Sequence, residues 1–87
     1  MHAVVAKVTI RDREAAQEFL RNEVVPGVSQ APGFVTGHWT VKDDSGLSMM
    51  IFESESAAQA LSDRIPTMVP DSVTFEGVEV REVVAHA

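Results

Sequence analysis

The order of apolar patterns along this 87-residue chain predicts an α+β domain in which strands and helices follow one another as βαββαβ. Four runs have the alternation or the β-branched content of strands, and two runs have apolar residues at helical spacing. Turn-forming residues separate these runs. No repeat or linker divides the chain, so residues 1–87 are expected to form a single domain.

The first strand and the first helix are predicted from the amino-terminal third of the chain. Residues 3–10 read AVVAKVTI, a β-branched run whose even-numbered side chains share one face. Asp12 follows at the position of a helix N-cap. Pro26 is expected to bend or stop the helix, because proline disfavours helical geometry in the residue before it. Residues 26–33, PGVSQAPG, are expected to form a further turn or a short helix. Four apolar residues define the helix before that point: Ala16, Phe19, Leu20 and Val24.

The remaining elements are predicted to be a hairpin, a short helix and a last strand. Residues 34–41 and 47–53 form the hairpin strands around an acidic turn at 43–46. Ser56 and Gln59 form a capping-box pattern that starts the second helix. Residues 73–84 form the last strand, in which Gly77 breaks the alternation as a bulge would. The second helix has a narrow apolar stripe: Ala57, Ala60, Leu61 and Ile65.

This order is the split βαβ pattern of ferredoxin-like domains, a four-stranded antiparallel sheet with two helices on one face. Antiparallel pairing of the first and last strands, with residue numbers that sum to about 88, aligns Val4 with Val84 on an apolar face. The other face mixes charged side chains with apolar ones such as Val5 and Phe75. A face of that composition is expected to be covered by a second subunit.

The composition is that of a globular protein, with 45% hydrophobic and 23% charged residues. A net charge of −6 argues against nucleic acid and anionic lipid as partners, because both would repel the protein.

No apolar run reaches the ~20 residues of a membrane span, so the sequence predicts a cytoplasmic protein. The chain has no Cys and its three His residues are scattered, so no metal site is expected.

The chain resembles the small dimeric α+β-barrel proteins, in particular their antibiotic-biosynthesis-monooxygenase-like branch. The resemblance covers the βαββαβ order, APGF entering the second strand, GHW within it, and MMIFESESAAQAL running from the third strand into the second helix. It implies a homodimer whose two sheets pack face to face into a barrel. Each subunit then has its own pocket between its sheet and its helices.

Members of that superfamily include cofactor-free oxygenases of aromatic substrates, haem-degrading enzymes and isomerases. The haem-degrading branch has an Asn on strand one, whereas the only Asn here, Asn22, lies in the predicted first helix. Quinone-forming oxygenases typically use Asn, Trp, Arg and often Tyr, and of these Trp39 alone matches. Two hypotheses follow. One is a cofactor-independent monooxygenase that acts on or binds a small planar aromatic compound, and the other is a non-catalytic ligand-binding or structural dimer.

The candidate ligand-binding residues are Trp39, His38, Phe19 and Met50, and the first two are also weak candidates for catalysis. His38 and Trp39 are strand neighbours, so an unbulged strand places them on opposite faces. Trp39 is either a core anchor or a pocket residue. His38 is either a surface residue or a general base. Likewise Met50 either shapes an adaptable pocket or fills a gap in the core.

A further cluster of charges is predicted on the second face of the sheet. Lys7, Glu79 and Arg81 fall together there if the first and last strands pair. They are either an anion-binding set inside a dimer barrel or neighbours that neutralise one another across strands.

Overall fold

The computed structural model describes residues 1–87 and contains the predicted βαββαβ order. The strands are β1 (His2–Ile10), β2 (Phe34–Lys42), β3 (Ser45–Phe52) and β4 (Val73–Glu82). The helices are α1 (Arg13–Phe19), α2 (Val25–Ser29) and α3 (Glu55–Arg64). A π-helical turn, Leu20–Val24, joins α1 to α2, and a 3-10 turn, Ile65–Thr67, follows α3. None of the helices combines the length and the apolar character needed to cross a membrane.

The four strands form one antiparallel sheet in the order β2-β3-β1-β4. This is the ferredoxin-like arrangement that the sequence predicted, with the first helical run between β1 and β2 and α3 between β3 and β4. Residues from α2 and α3 share one apolar cluster with residues from β1 and β3. The helices therefore lie on one face of the sheet, and the other face is open.

The core is small and lies between α3 and the central strands. Phe52 and Val4 are fully buried on the sheet, and Ala58 is fully buried on the helix. The ring of Phe34 meets that of Phe52 edge to face, with centroids 5.8 Å apart. Only ten of the 87 residues are buried, and several large hydrophobic side chains, among them Leu47 and Met49, are exposed in the single subunit.

The first helical run starts as predicted, and it is followed by the short helix that was one alternative for residues 26–33. Asp12 is the N-cap of α1, and its carboxylate accepts a hydrogen bond of 3.1 Å from the backbone N–H of Ala15. The chain passes through the π-helical turn into α2, so the helical run does not stop at Pro26.

The π-helical turn explains why proline does not end the helix. The backbone N–H of Val25 donates to the carbonyl of Leu20, five residues earlier, so the turn before the proline is wider than an α-helical turn. Pro26 then stands in the first turn of α2, where its missing N–H is not needed. The expected break is thus replaced by a wide turn.

The start of α3 differs from the prediction by two residues. Ser54, and not Ser56, is the N-cap, and its hydroxyl accepts from the backbone N–H of Ala57 at 3.2 Å. The helix therefore buries Ala58, Leu61 and Ser62, while Ala60 of the predicted stripe is exposed. Both serines have the residue type of a cap, and the start at Ser54 is the one that turns Ala58 and Leu61 into the core.

The hairpin turn is tighter than predicted. Lys42 pairs with Ser45, so only Asp43 and Asp44 form the turn, and Gly46 belongs to β3. Asp43 takes the positive φ of 54° that such a turn requires. Gly46 is needed within the strand, because a Cβ atom there would lie 2.8 Å from Cγ2 of Val8.

The pairing of β1 with β4 corrects the predicted register by four residues. Val4 faces Val80 and not Val84. Because the shift is an even number, the two faces keep their composition up to Gly77. The register shifts there, which confirms the predicted bulge. The bulge skips Glu76, so Phe75 pairs with Val8 on the helix-facing side, whereas the sequence placed Phe75 on the open face.

We expect Gly37→Ala to displace the indole ring of Trp39. A Cβ atom at residue 37 would lie 2.7 Å from Cη2 of that ring, so the ring has to move. The free energy of unfolding should fall by about 1 to 3 kcal/mol, and the fluorescence emission of the single Trp should shift. Denaturation curves measured by circular dichroism, with emission spectra, test this.

Gly27→Ala is the matched control. Nothing lies within 4 Å of a Cβ atom at residue 27, and the residue is within α2, where alanine is favoured over glycine. This variant should be as stable as the wild type or more so, with unchanged emission. Equal effects of the two substitutions would contradict the close packing of Trp39 on residue 37.

Candidate ligand-binding site

A cavity of about 400 Å³ lies between the first helical run and the helix-facing side of the sheet. Seventeen of its 23 lining residues are hydrophobic. Small-molecule pockets in proteins are typically about 300–1,000 Å³ and mostly apolar, with a few polar groups. The size and the lining of this cavity therefore match those of a small-molecule site.

The floor of the cavity is the half of the sheet that α3 does not cover. All four strands contribute helix-facing side chains near the hairpin-turn end of the sheet. Successive side chains of a strand point to opposite faces, so every second residue of β1 and of β3 faces the helices. The floor includes Val8 and Ile10, Ser48 and Met50, Trp39, and Phe75. The bulge at Gly77 is the reason that Phe75 belongs to this set.

The roof is one side of the helical run 13–29. Most of its lining residues recur every three or four positions, which is the spacing of one helix face: Ala16, Gln17, Phe19, Leu20, Arg21, Val24 and Val28. Val28 of α2 is buried in the core, whereas no residue of α1 or of the π-helical turn is buried. The roof is therefore anchored at the α2 end and stands away from the sheet at the α1 end. The chain after α3, with Ile65 and Met68, closes a third side.

Trp39 lies at the boundary between the core and the cavity. Its ring packs against the apolar cluster and over Gly37, which has no side chain to exclude it. The same residue is half-buried and lines the cavity. The two interpretations of Trp39, as a core anchor and as a pocket residue, therefore describe two sides of one ring.

His38 does not take part in this site. It pairs with Met49 on the open face of the sheet, while Trp39 pairs with Ser48 on the helix-facing side. The predicted alternation of these neighbours is therefore confirmed, and His38 is exposed. A joint role of His38 and Trp39 in one pocket would require His38 to reach through the sheet.

Phe19 and Met50, the other two candidate ligand-binding residues, both line the cavity together with Trp39. Phe19 comes from the roof and Met50 from the floor. Met50 is also almost fully buried in the core. Three of the four candidate ligand-binding residues thus surround one cavity, and their role in binding stays a prediction.

Sequence reasoning missed the polar residues of the cavity. Gln17 and Arg21 are four positions apart on the roof, beside the apolar stripe of the helix, and Ser48 lies on the floor between two apolar neighbours. The spacing of Gln17 and Arg21 is the signal that could have found them, because residues four apart share a helix face. The hydroxyl of Thr40, which also borders the cavity, is already bonded to the carbonyl of Leu47 at 2.7 Å.

Arg21 is the single charged side chain of the lining. The two ion pairs of the protein are His2 with Glu55, at 3.4 Å, and Arg81 with Glu79, at 3.0 Å, so neither involves Arg21. Arg21 is an exposed residue, and its charge is not paired within the protein.

The charged set on the open face is arranged differently from an anion-binding cradle. Glu79 already receives the guanidinium of Arg81, its neighbour two positions along β4, in an exposed pair. Lys7 faces Gly77 across the strands. Pairs of this exposure contribute little to stability.

The described residues contain no group of three or more His, Asp or Glu side chains placed to bind a metal ion.

No protein-family model matches the sequence, and no functionally curated protein is significantly similar to it. The ferredoxin-like fold occurs in proteins of many functions, so the fold alone does not assign one. The cavity is therefore the feature of this protein that points to a function.

We expect Trp39→Ala to lower the free energy of unfolding by about 2 kcal/mol. A fully buried aromatic residue would cost about 3 to 5 kcal/mol, but part of this ring faces the cavity and has fewer packing partners. Urea denaturation followed by circular dichroism measures the loss. Trp39→Phe keeps an aromatic ring and should recover most of it. A loss below about 0.5 kcal/mol would show that the ring does not support the core.

Proposed function

We propose that the protein binds a small, flat, largely apolar molecule in the cavity between its sheet and the helical run 13–29. The observation that supports this is the cavity itself, about 400 Å³ in volume and lined mainly by hydrophobic residues. The cavity is a partly open cleft, and mostly apolar clefts of this size are the usual form of small-molecule sites. A bound apolar ligand would remove the cleft walls from water.

The aromatic residues of the lining favour a planar ligand. Phe19 lies on the roof, and Trp39 and Phe75 lie on the floor. Rings pair favourably in stacked and edge-to-face geometries, and a flat aromatic compound offers both a face and edges to them. Met50 and Met68 add polarizable side chains that adapt to the shape of a ligand.

Ala16→Phe should abolish binding, because the added ring enters the cavity from the roof. The test is isothermal calorimetry with the neutral probe 2-naphthalenemethanol. Wild-type protein should bind it with a Kd of about 10 to 100 µM, as expected for a ligand of this size. The Ala16→Phe variant should show no measurable binding.

Ala15→Phe is the control for this experiment. Ala15 is the neighbouring residue of α1, is exposed, and does not line the cavity, so the same side chain is added outside the site. This variant should bind as the wild type does. Absence of binding to the wild type, or an equal loss in both variants, would contradict the proposal.

Oxygenation of the bound compound is the second candidate function. It is favoured by the presence of Trp39 and Arg21 in one cavity, since cofactor-independent oxygenases need a substrate anion held by oriented donors in a dry pocket. The lining contains no carboxylate or imidazole to remove a proton, so a substrate would have to enter as its anion. Oxygen uptake with a dihydroxynaphthalene distinguishes turnover from binding alone.

We further propose that two copies pair through their open sheet faces, as the resemblance to dimeric α+β barrels implies. Leu47 and Met49 are 47% and 45% exposed on this face, and Val5 and Ile51 lie beside them. Four strands about 4.8 Å apart, each with about eight residues at a rise of about 3.3 Å, cover about 500 Å². Two such faces bury about 1,000 Å², which is the area that an interface between proteins has to reach.

The cytoplasmic location stays a prediction, which depends on the absence of a long apolar run in the sequence.

Leu47→Glu should convert the dimer into a monomer. Leu47 faces Lys7 on the neighbouring strand, so the new carboxylate has a partner in the single subunit but would be buried in a face-to-face dimer. Sedimentation at about 10 µM should show a dimer for the wild type and a monomer for the variant, with unchanged circular dichroism. Ala15→Glu adds the same charge on the helix layer and should stay dimeric. A monomeric wild type would contradict the proposed dimer.

A further inference from the structure

We propose that the ligand is an aromatic monocarboxylate and that Arg21 binds its carboxylate group. This inference rests on the proposed function, since it assigns the class of ligand that the cavity selects. Arg21 is the one charged residue of a lining that is otherwise mainly apolar. A ligand that matches this lining has an apolar body and a single negative charge.

The position of Arg21 suits it to bind one end of a ligand. It lies in the π-helical turn, which has no buried residue, so its guanidinium stays in contact with water while the chain near it lines the cavity. A charge at the mouth keeps its hydration until a ligand arrives, and the cost of desolvation in the free protein is avoided.

The chemistry of the site favours a carboxylate over other polar groups. A guanidinium group has five N–H donors in a planar fork and binds a carboxylate through two parallel hydrogen bonds. Gln17, four positions earlier on the same helix face, offers an amide N–H to the same region. Neither side chain takes part in a salt bridge or a side-chain hydrogen bond that would compete with the ligand.

The net charge of −6 opposes the approach of any anion. At physiological ionic strength, however, exposed charges farther than about 8 Å are largely screened, so the nearest charge has the greatest effect on a bound group. The apolar walls on the other sides of the cavity lower the local dielectric constant and strengthen that single interaction. Glu18, three positions before Arg21 on the same helical run, offsets part of its attraction for an anion, but unlike Arg21 it does not line the cavity.

The test compares two probes of nearly equal shape, 2-naphthoate and the neutral 2-naphthamide, by calorimetry at pH 7. Wild-type protein should bind 2-naphthoate about tenfold more tightly, as expected for a charge-assisted hydrogen bond. Added salt should weaken the binding of 2-naphthoate and leave that of 2-naphthamide unchanged. This comparison needs no variant, so it does not depend on the folding of one.

Arg21→Met should remove the preference for 2-naphthoate and change the affinity for 2-naphthamide less than twofold. Arg13→Met is the control, because residue 13 is an exposed Arg in the same helical run that does not line the cavity, and its loss changes the net charge equally. This control should keep the preference. Arg21→Lys keeps the charge without the planar fork and should keep only part of it.

The outcomes separate this inference from the proposed function. Binding of both probes with equal affinity, or an equal loss of preference in Arg13→Met and Arg21→Met, would overturn the role of Arg21 while the cavity remains a binding site. Failure of 2-naphthoate, 2-naphthamide and 2-naphthalenemethanol alike to bind the wild type would overturn the proposed function itself.

Discussion

The packing of α3 against the two central strands is the interaction on which the rest of this structure depends. Ala58 is small enough to bring the helix close to Val4 and Phe52, and all three residues are fully buried. With only ten buried residues in the chain, few other contacts exclude water completely. The position of α3 also decides which half of the sheet is core and which half is free, so it defines the place of the cavity.

The first helical run spans both halves of the sheet, and only its α2 end is packed into the core; its other end is held by backbone hydrogen bonds from Arg11 and Asp12 to the carbonyl of Ser72. Val28 of α2 belongs to the core, whereas α1 has no buried residue. Between them the π-helical turn allows the chain to pass Pro26 without a break. A chain that left the helical path at the proline would lose from the roof only Val28, the residue that is buried in the core. The wide turn thus keeps Val28 in line with the rest of the roof, and it also contains Arg21.

The sheet separates two kinds of surface that are proposed to have different functions. Its helix-facing side contains the core and the cavity, with Trp39 at the boundary between them. Its open side has His38, Leu47 and Met49, which are exposed in the single subunit. Because neighbouring strand residues alternate, a dimer formed through the open side leaves the cavity of each subunit in place. Ligand binding and association can therefore be tested separately.

The sequence by itself determined the order of elements, the cap at Asp12, the alternation of His38 and Trp39, and the bulge at Gly77, because each depends on neighbours a few residues away. Tertiary structure decided the rest. An even shift in register keeps every side chain on its face, so periodicity could not distinguish the predicted pairing of β1 with β4 from the observed one. Gly77 indicated a bulge, but the side of the sheet on which Phe75 lies is decided by its pairing with Val8 of β1. Arg21 lies within the predicted helix, but its place in the cavity lining depends on the packing of Val28 against the core. Both are results of long-range packing, which local patterns do not contain.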